Sequence, residues 1–192
     1  VDARENARDP RREETRAILV DGFGNRAPLE LLGLLGHADQ RVRQGAQFEL
    51  ARRGRKTELL AVARGATVHP FARLHALWGY GQLLRRGAAE AAALMPLLKD
   101  EDSEMRAQTA KVLGDAAAAG MAGLGAGLVP LVADASPRVR LQASIALGKC
   151  REASAVEALF SLAERDGADP VLRHAAAAGL AGCAGRAELV AR

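Results

Sequence analysis

The chain has 192 residues, of which 49% are hydrophobic and 26% charged, and its net charge is +4. No Lys/Arg-rich run of about five to eight residues is present, so the charge alone does not imply nucleic acid. No apolar run approaches the roughly 18 residues that a membrane-spanning helix needs. The strong helix formers Ala and Leu are abundant, aromatic residues make up 3%, and strand signals are almost absent. We therefore predict an all-α fold with enough apolar residues to form a buried core.

The predicted helices follow the chain in pairs. A first helix is expected over 9–22, within a segment 1–27 that we interpret as an N-terminal helix or a degraded first repeat. From residue 28 onwards, the first helix of a pair is an apolar stretch, seen over 28–36, 90–99 and 153–165. The second helix follows a residue that caps helix starts; these residues are Asp39, Asp102, Ser136 and Asp169. One pair cannot bury its own apolar face, so we predict stacked pairs over 28–185 and a truncated further repeat over 186–192.

One arginine recurs at the same place in each second helix. An acidic or small polar residue and an apolar residue precede it, a small residue follows three positions later, and an apolar one follows seven positions later. The spacings are 30, 33, 34 and 33, and the positions are Arg43, Arg73, Arg106, Arg140 and Arg173. Such a period predicts a right-handed α-α superhelix of about five to six helix pairs.

This pattern resembles HEAT repeats, of the short bacterial kind also found in phycobilin lyase subunits. Two segments, LLGHADQRVRQGAQFELARRG (34–54) and FARLHALWGYGQL (71–83), more closely resemble the helical region of large exported proteins from planctomycetes and related bacteria. In that family a β-propeller precedes the HEAT repeats, and a c-type cytochrome domain with a CxxCH haem site follows. The resemblance implies an exported or periplasmic protein of which this chain is a fragment. It also implies a spacer role, since neither Cys150 nor Cys183 begins a CxxCH motif.

The recurring arginines have two interpretations. They form either a basic stripe for phosphate or a structural ladder in which each arginine pairs with an acid of a neighbouring inter-helix turn, as the resemblance to HEAT repeats implies. The available turn acids are Asp39, Asp102, Asp134 and Asp169. We favour the structural ladder, in which partly exposed pairs contribute about 0–1 kcal/mol each.

An apolar row follows the outward side of the second helices. Counted from the residue before each arginine, positions 0, +4, +7 and +8 face the core, and positions +2 and +6 lie on the opposite, concave side. HEAT units usually place charges there, but this chain places Phe48, Leu74, Trp78, Leu141 and Ile145 at these positions. An exposed cluster of this kind marks an interaction site. The alternative is that these side chains pack on one another or on the N-terminal segment.

No set of residues has the spacing that catalysis or metal binding needs. His37, His69, His75 and His174 do not have metal-ligand spacing. Cys150 and Cys183 hold equivalent places in successive repeats, about 8–10 Å apart, which is wider than a disulfide allows. Nucleophile-elbow, dinucleotide-binding, P-loop and HExxH motifs do not occur.

We therefore predict a non-catalytic protein without cofactor or metal. Its expected function is a protein-interaction scaffold or inter-domain spacer, whose partner is another protein or a neighbouring domain of the same chain. Two alternatives remain open. One is a nucleic-acid-binding protein similar to DNA glycosylases with a HEAT-like fold, and the other is a chromophore lyase subunit.

Overall fold

The structure, a computed structural model, describes residues 10–184. Every regular element in this part of the chain is an α-helix or a 3₁₀-helix, and the predicted all-α, HEAT-like fold class is confirmed. The chain divides into two compact units, 1–83 and 84–192. The truncated repeat predicted over 186–192 lies outside the described residues.

The first unit contains four described α-helices and most of a fifth. Its helices are α1 (Pro10–Asp21), α2 (Pro28–Leu34), α3 (Gln40–Arg52), α4 (Lys56–Arg64) and α5 (Pro70–Arg85). The carboxylate of Asp39 accepts a hydrogen bond from the Arg41 backbone N–H and so caps α3. At the start of α5, Nδ1 of His69 accepts a bond from the Phe71 backbone N–H. Asp39 therefore caps its helix as predicted, and His69 caps the equivalent helix of the next repeat.

The second unit alternates short first helices with long second helices. Its elements are 3₁₀ Ala91–Lys99, α6 (Ser103–Ala118), 3₁₀ Ala126–Ala133, α7 (Pro137–Cys150), 3₁₀ Ala153–Ala155, α8 (Val156–Asp166) and α9 (Pro170–Cys183). The stretch 90–99 was expected to be an ordinary helix, but it is 3₁₀ and contains Pro96. The other long 3₁₀-helix contains Pro130. Because proline has no N–H to donate, both segments lack one bond of a regular α-helix.

The start of α7 differs from the predicted cap. Asp102 and Asp169 accept bonds from backbone N–H groups of α6 and α9, but the Ser136 side chain makes no capping bond. Instead, the Asp134 carboxylate accepts a bond of 2.8 Å from the Ser136 backbone N–H. This bond stabilises the turn before α7 but does not cap the first N–H groups of the helix.

The core follows the period of the second helices. Positions 0, +4 and +8 are buried in all five; they are Val42, Ala46, Leu50, Ala72, Ala76, Tyr80, Met105, Thr109, Leu113, Val139, Ala143, Leu147, Leu172, Ala176 and Leu180. Helices α7 and α9 approach so closely that a Cβ on Gly148 would lie 2.7 Å from the Ala178 carbonyl oxygen. A Cβ on Gly179 would lie 2.8 Å from the Ser144 carbonyl oxygen. These two helices therefore pack backbone against backbone.

Candidate functional site

The five predicted apolar positions differ in exposure and are divided between the two units. Phe48, Leu74 and Trp78 belong to the first unit, and Leu141 and Ile145 to the second. Phe48 is 50% exposed, and the other four side chains are half-buried. Phe48 on α3 is therefore the most open of the five.

Phe48 lies between two arginines on the outward side of α3. Arg41, Gln44, Phe48 and Arg52 follow one another at helical intervals that place them on one face, and all four are exposed. Arg41 pairs with Asp39, and Arg52 pairs with a glutamate of its own helix. The outward face of α3 thus presents an aromatic ring with a guanidinium group on either side.

Phe71 is an exposed aromatic residue that the sequence analysis did not select. It is 47% exposed and shares one face of α5 with Leu74 and Trp78. The guanidinium carbon of Arg43 lies 4.4 Å from the centroid of its ring, which is a cation–π contact. Phe71 lies three residues before Leu74 and seven before Trp78, and this helical spacing could have identified it. It was missed because the prediction used only positions +2 and +6 of each second helix.

A buried hydrogen-bond network lies between α3 and α5. Nε of Arg43 donates to Nε2 of His75 over 3.1 Å, and Nδ1 of His75 lies 2.7 Å from Oε1 of Gln47. Since Nε2 accepts, Nδ1 carries the proton and donates to Gln47. Burial, together with the charge of Arg43, lowers the pKa of His75 to about 4. The ring of Trp78 meets this imidazole edge-on, with centroids 4.9 Å apart, so Trp78 rests on the network.

The recurring arginines bind the backbone of the turn that precedes their own helix, as shown at Arg43, Arg106, Arg140 and Arg173. Nη1 of Arg43 donates to the carbonyl oxygens of His37 and Ala38, over 2.7 and 2.8 Å. Equivalent bonds join Arg106 to the carbonyls of Asp100 and Glu101, Arg140 to those of Asp134 and Ala135, and Arg173 to that of Gly167. We call this recurring contact the turn clamp.

Arg106 and Arg140 pair with carboxylates of the next repeat. Arg106 binds Asp134 through Nε and Nη2, over 2.8 and 3.0 Å, and this bond lowers the pKa of the Asp134 carboxyl. Nε of Arg140 lies 3.1 Å from a carboxylate oxygen of Asp166. Asp166 was not among the four turn acids proposed from the sequence; Arg140 meets its carboxylate and the main chain of Asp134.

The predicted pairing with a turn acid needs correction at Arg43. Arg43 meets His75 in the next repeat, where an aspartate was expected, and Nε of Arg73 donates to the Ala63 carbonyl oxygen over 3.0 Å. The reason at Arg43 is the composition of the turn between α4 and α5, which carries Thr67 and His69 where the second unit carries acids. The carboxylate of Asp39 pairs with Arg41, and this pairing lowers the pKa of Asp39 to about 2.

The cysteines and histidines have local structural surroundings. Cys150 and Cys183 are free, half-buried thiols, and burial raises the pKa of Cys150 to about 11. Nδ1 of His37 accepts a bond from the Asp39 backbone N–H. Among residues 10–184, no group of three or more His, Cys, Asp or Glu residues is arranged to hold a metal ion. In the same range, no helix has the length and apolarity needed to cross a membrane.

Residues 125–187 match the family model for HEAT repeats. The described part of this stretch contains α7, α8 and α9, with their clamped turns and the close contact of α7 with α9. The match identifies HEAT repeats in this part of the chain and, with the all-α fold, supports a HEAT-repeat protein. HEAT repeats are typical protein-interaction motifs. No curated protein matches the chain.

Proposed function

We propose that the chain is a non-catalytic protein-interaction scaffold that binds its partner through the outward face of the first unit. The face consists of Phe48 on α3 and of Phe71, Leu74 and Trp78 on α5. The observation that carries the proposal is the exposure of Phe48. Its side chain is 50% exposed, although the other residues on the outward face of α3 are polar. Burying such a side chain against a partner contributes roughly 1.5–3 kcal/mol.

The composition of this face supports protein binding. Energetically dominant residues of protein interfaces are enriched in Trp, Tyr and Arg, and they lie inside a rim that excludes water. Trp78 rests on the buried imidazole of His75, and the guanidinium of Arg43 lies against Phe71. The side chains are therefore held in position before a partner arrives, which lowers the entropy cost of binding.

The resemblance to exported propeller and cytochrome proteins suggests where the partner lies. We propose that it is a neighbouring domain of the same longer chain, against which the first unit serves as a spacer. Support for this comes from the two segments 34–54 and 71–83, which contain Phe48, Phe71, Leu74 and Trp78.

The turn clamp favours a scaffold over a nucleic-acid-binding protein. A phosphate stripe needs guanidinium groups that point outwards, whereas Arg43, Arg106 and Arg140 direct theirs to main-chain carbonyls. Arg43 is also buried. The recurring arginines therefore serve the fold.

The test is selection of binding peptides from a random library on the intact chain. Peptides that bind the wild-type chain should lose binding to Phe48→Ser. The matched control is Leu29→Ser, which removes a side chain that is 81% exposed on α2 of the same unit. The control should bind as the wild type does. Recovery of no peptides, or equal loss in both variants, would overturn the proposal.

A further inference from the structure

The guanidinium group of Arg43 is a buried charge whose partners are all neutral. Arg43 is 8% exposed, and its hydrogen bonds go to the carbonyl oxygens of His37 and Ala38 and to the neutral imidazole of His75. The guanidinium also contacts the ring of Phe71. Among residues 10–184, no carboxylate pairs with it. A buried charge without an opposite charge beside it is costly to desolvate, so this place favours an anion.

The equivalent arginines of the second unit do have a carboxylate. Arg106 donates from Nε and Nη2 to the two carboxylate oxygens of Asp134, over 2.8 and 3.0 Å. Nε of Arg140 lies 3.1 Å from a carboxylate oxygen of Asp166. The repeat therefore predicts an acid beside Arg43, and the described part of the first unit does not supply it.

One end of the Arg43 guanidinium has hydrogen-bonding capacity left. Nη1 makes the turn clamp in Arg43 as it does in Arg106, so the two guanidinium groups are held in the same way. Nε of Arg43 donates to His75. Within the part of the chain that the structure describes, Nη2 of Arg43 donates no hydrogen bond, although in Arg106 the same atom binds Asp134. Two N–H donors of Nη2 are thus available for an acceptor.

The place of the missing acid lies at the edge of the proposed binding face. Asp134 stands six residues before Arg140, and the residue six positions before Arg73 is Thr67, which is neutral and exposed. Phe71, which is 47% exposed, has its ring centroid 4.4 Å from the guanidinium carbon of Arg43. A carboxylate that reaches Nη2 would therefore lie next to an exposed aromatic ring of that face.

The acids closest in sequence to Arg43 are engaged with other arginines. Asp39, before α3, pairs with Arg41, and Glu49, on α3, pairs with Arg52. These pairings hold the pKa of both carboxyl groups at about 2, so both groups stay ionised and paired at neutral pH. The carboxylate that would complete Arg43 must then come from another molecule or another part of a longer chain.

We infer that Nη2 of Arg43 binds the side-chain carboxylate of an Asp or Glu of the partner, in the place that Asp134 takes beside Arg106. An apolar residue next to that acid packs on Phe71, and the segment continues over Leu74 and Trp78. The partner is therefore a protein segment that carries an acid beside an apolar residue. The inference rests on the proposed function, since it names the chemistry by which the same face recognises its partner.

The first experiment supplies the missing carboxylate from the chain itself. Thr67→Asp places an acid at the position that Asp134 holds in the second unit. It should raise the melting temperature of the free chain by at least about 2 °C at low salt, because the Arg43 charge gains a partner. The matched control is Ala66→Asp, which adds the same charge at the neighbouring exposed position and should shift the melting temperature much less.

The second experiment uses peptides selected from a random library on the intact wild-type chain, synthesised with amidated C-termini. Fluorescence anisotropy measures their affinity. Replacing the Asp or Glu of such a peptide by Asn or Gln should weaken binding at least about tenfold. Thr67→Asp should weaken binding of the acidic peptide to a similar extent, because its own carboxylate occupies Arg43. The amide peptide should bind Thr67→Asp and the wild type alike, and Ala66→Asp should bind the acidic peptide nearly as the wild type does.

The outcomes separate this inference from the scaffold proposal. An unchanged melting temperature in Thr67→Asp, or an equal rise in Ala66→Asp, would overturn the carboxylate site at Arg43. Equal affinity for the acidic and amide peptides would also overturn it, and so would equal losses of the acidic peptide in the two variants. If peptides nevertheless bind in a manner that depends on Phe48, the scaffold proposal stands alone. If the library yields no binding peptide, both proposals fall.

Discussion

Nε of Arg43 donates a hydrogen bond to Nε2 of His75 over 3.1 Å, and this bond fixes the protonation state of a buried imidazole. A second proton on His75 would sit on Nε2 and face the guanidinium. The protonated form would therefore lose the bond and bring two positive charges together in a buried place. Burial of the imidazole, and after it the charge of Arg43, therefore lowers the pKa of His75 from 6.5 to about 4.

The first prediction concerns the pH dependence of stability. In the unfolded chain His75 takes up a proton near pH 6.5, but in the folded chain only near pH 4. Between these values the unfolded state binds more protons, so the free energy of unfolding falls as the pH falls. The contribution is complete above pH 6.5 and is lost towards pH 4, with a size on the order of 3 kcal/mol.

Urea denaturation across this pH range measures the effect, and His75→Gln provides the control. The variant should show a smaller slope between pH 6.5 and 4.5, which are the unperturbed pKa values of His75 and Glu49. Below that range, loss of the Glu49 pairs adds its own slope, because Arg52 and Arg53 hold the pKa of Glu49 at about 2. An equal slope in variant and wild type would contradict the assignment to His75.

The second prediction compares two of the recurring arginines, Arg106 and Arg173. Arg106→Ala removes the bonds to Asp134 and to two turn carbonyls, and it leaves a largely buried carboxylate without its cation. It should lower the free energy of unfolding by about 1–3 kcal/mol. Arg173→Ala removes an exposed side chain from the same position and should cost less than about 1 kcal/mol. Chemical denaturation measures both, and equal effects would mean that the Asp134 pair adds nothing.

The third prediction concerns the contact of α7 with α9. Gly148→Ala places a Cβ against the Ala178 carbonyl oxygen, which belongs to backbone and cannot rotate away. We expect destabilisation of about 1–3 kcal/mol. Gly33→Ala in α2 meets nothing within 4 Å and should stabilise by roughly 0.5–1 kcal/mol through helix propensity. Thermal melting of both variants tests the contrast, and a neutral Gly148→Ala would show that the two helices separate easily.

The fourth prediction uses the single tryptophan, Trp78. Since the side chain is half-buried, acrylamide should quench its emission partially. A peptide selected on the proposed face should shift the emission to the blue and slow the quenching. Emission that is already blue and shielded in the free chain would identify Trp78 as core, and the face would then lack its central aromatic.

The fifth prediction concerns metal removal. Stacked repeats gain stability from apolar burial between neighbours, so folding should not depend on a metal ion. Treatment with EDTA should leave the helical circular dichroism and the melting temperature unchanged. A drop of several degrees would indicate a bound ion and would contradict this view.

The second helices were predictable because their burial repeats along the chain. The period of the arginines located α3, α5, α6, α7 and α9, and the core positions followed from helical geometry. The partners of the arginines were not predictable in the same way. Arg43 meets His75 because the turn between α4 and α5 carries Thr67 and His69, and a local substitution of this kind does not alter the period.

Two further features depend on contacts that a periodic pattern does not encode. The close approach at Gly148 requires small residues on two helices at once, and either glycine alone is compatible with an ordinary helix. The loop between α1 and α2 is held to α3 by Arg53, and the bonds are to main-chain carbonyls. A main-chain acceptor has no signature in the sequence.

The turn clamp has a consequence for how this chain tolerates mutation. The acceptors in the clamped turns are carbonyl oxygens of His37, Asp100, Asp134 and Gly167, which belong to three different residue types. Every residue type supplies a carbonyl, so the clamp itself places no demand on the side chain at these positions as long as the arginine six residues later is kept. Replacement of an arginine therefore removes the clamp, whereas a substitution in the turn keeps the clamp and loses only the side-chain contacts of that turn, such as the pairing of Asp134 with Arg106.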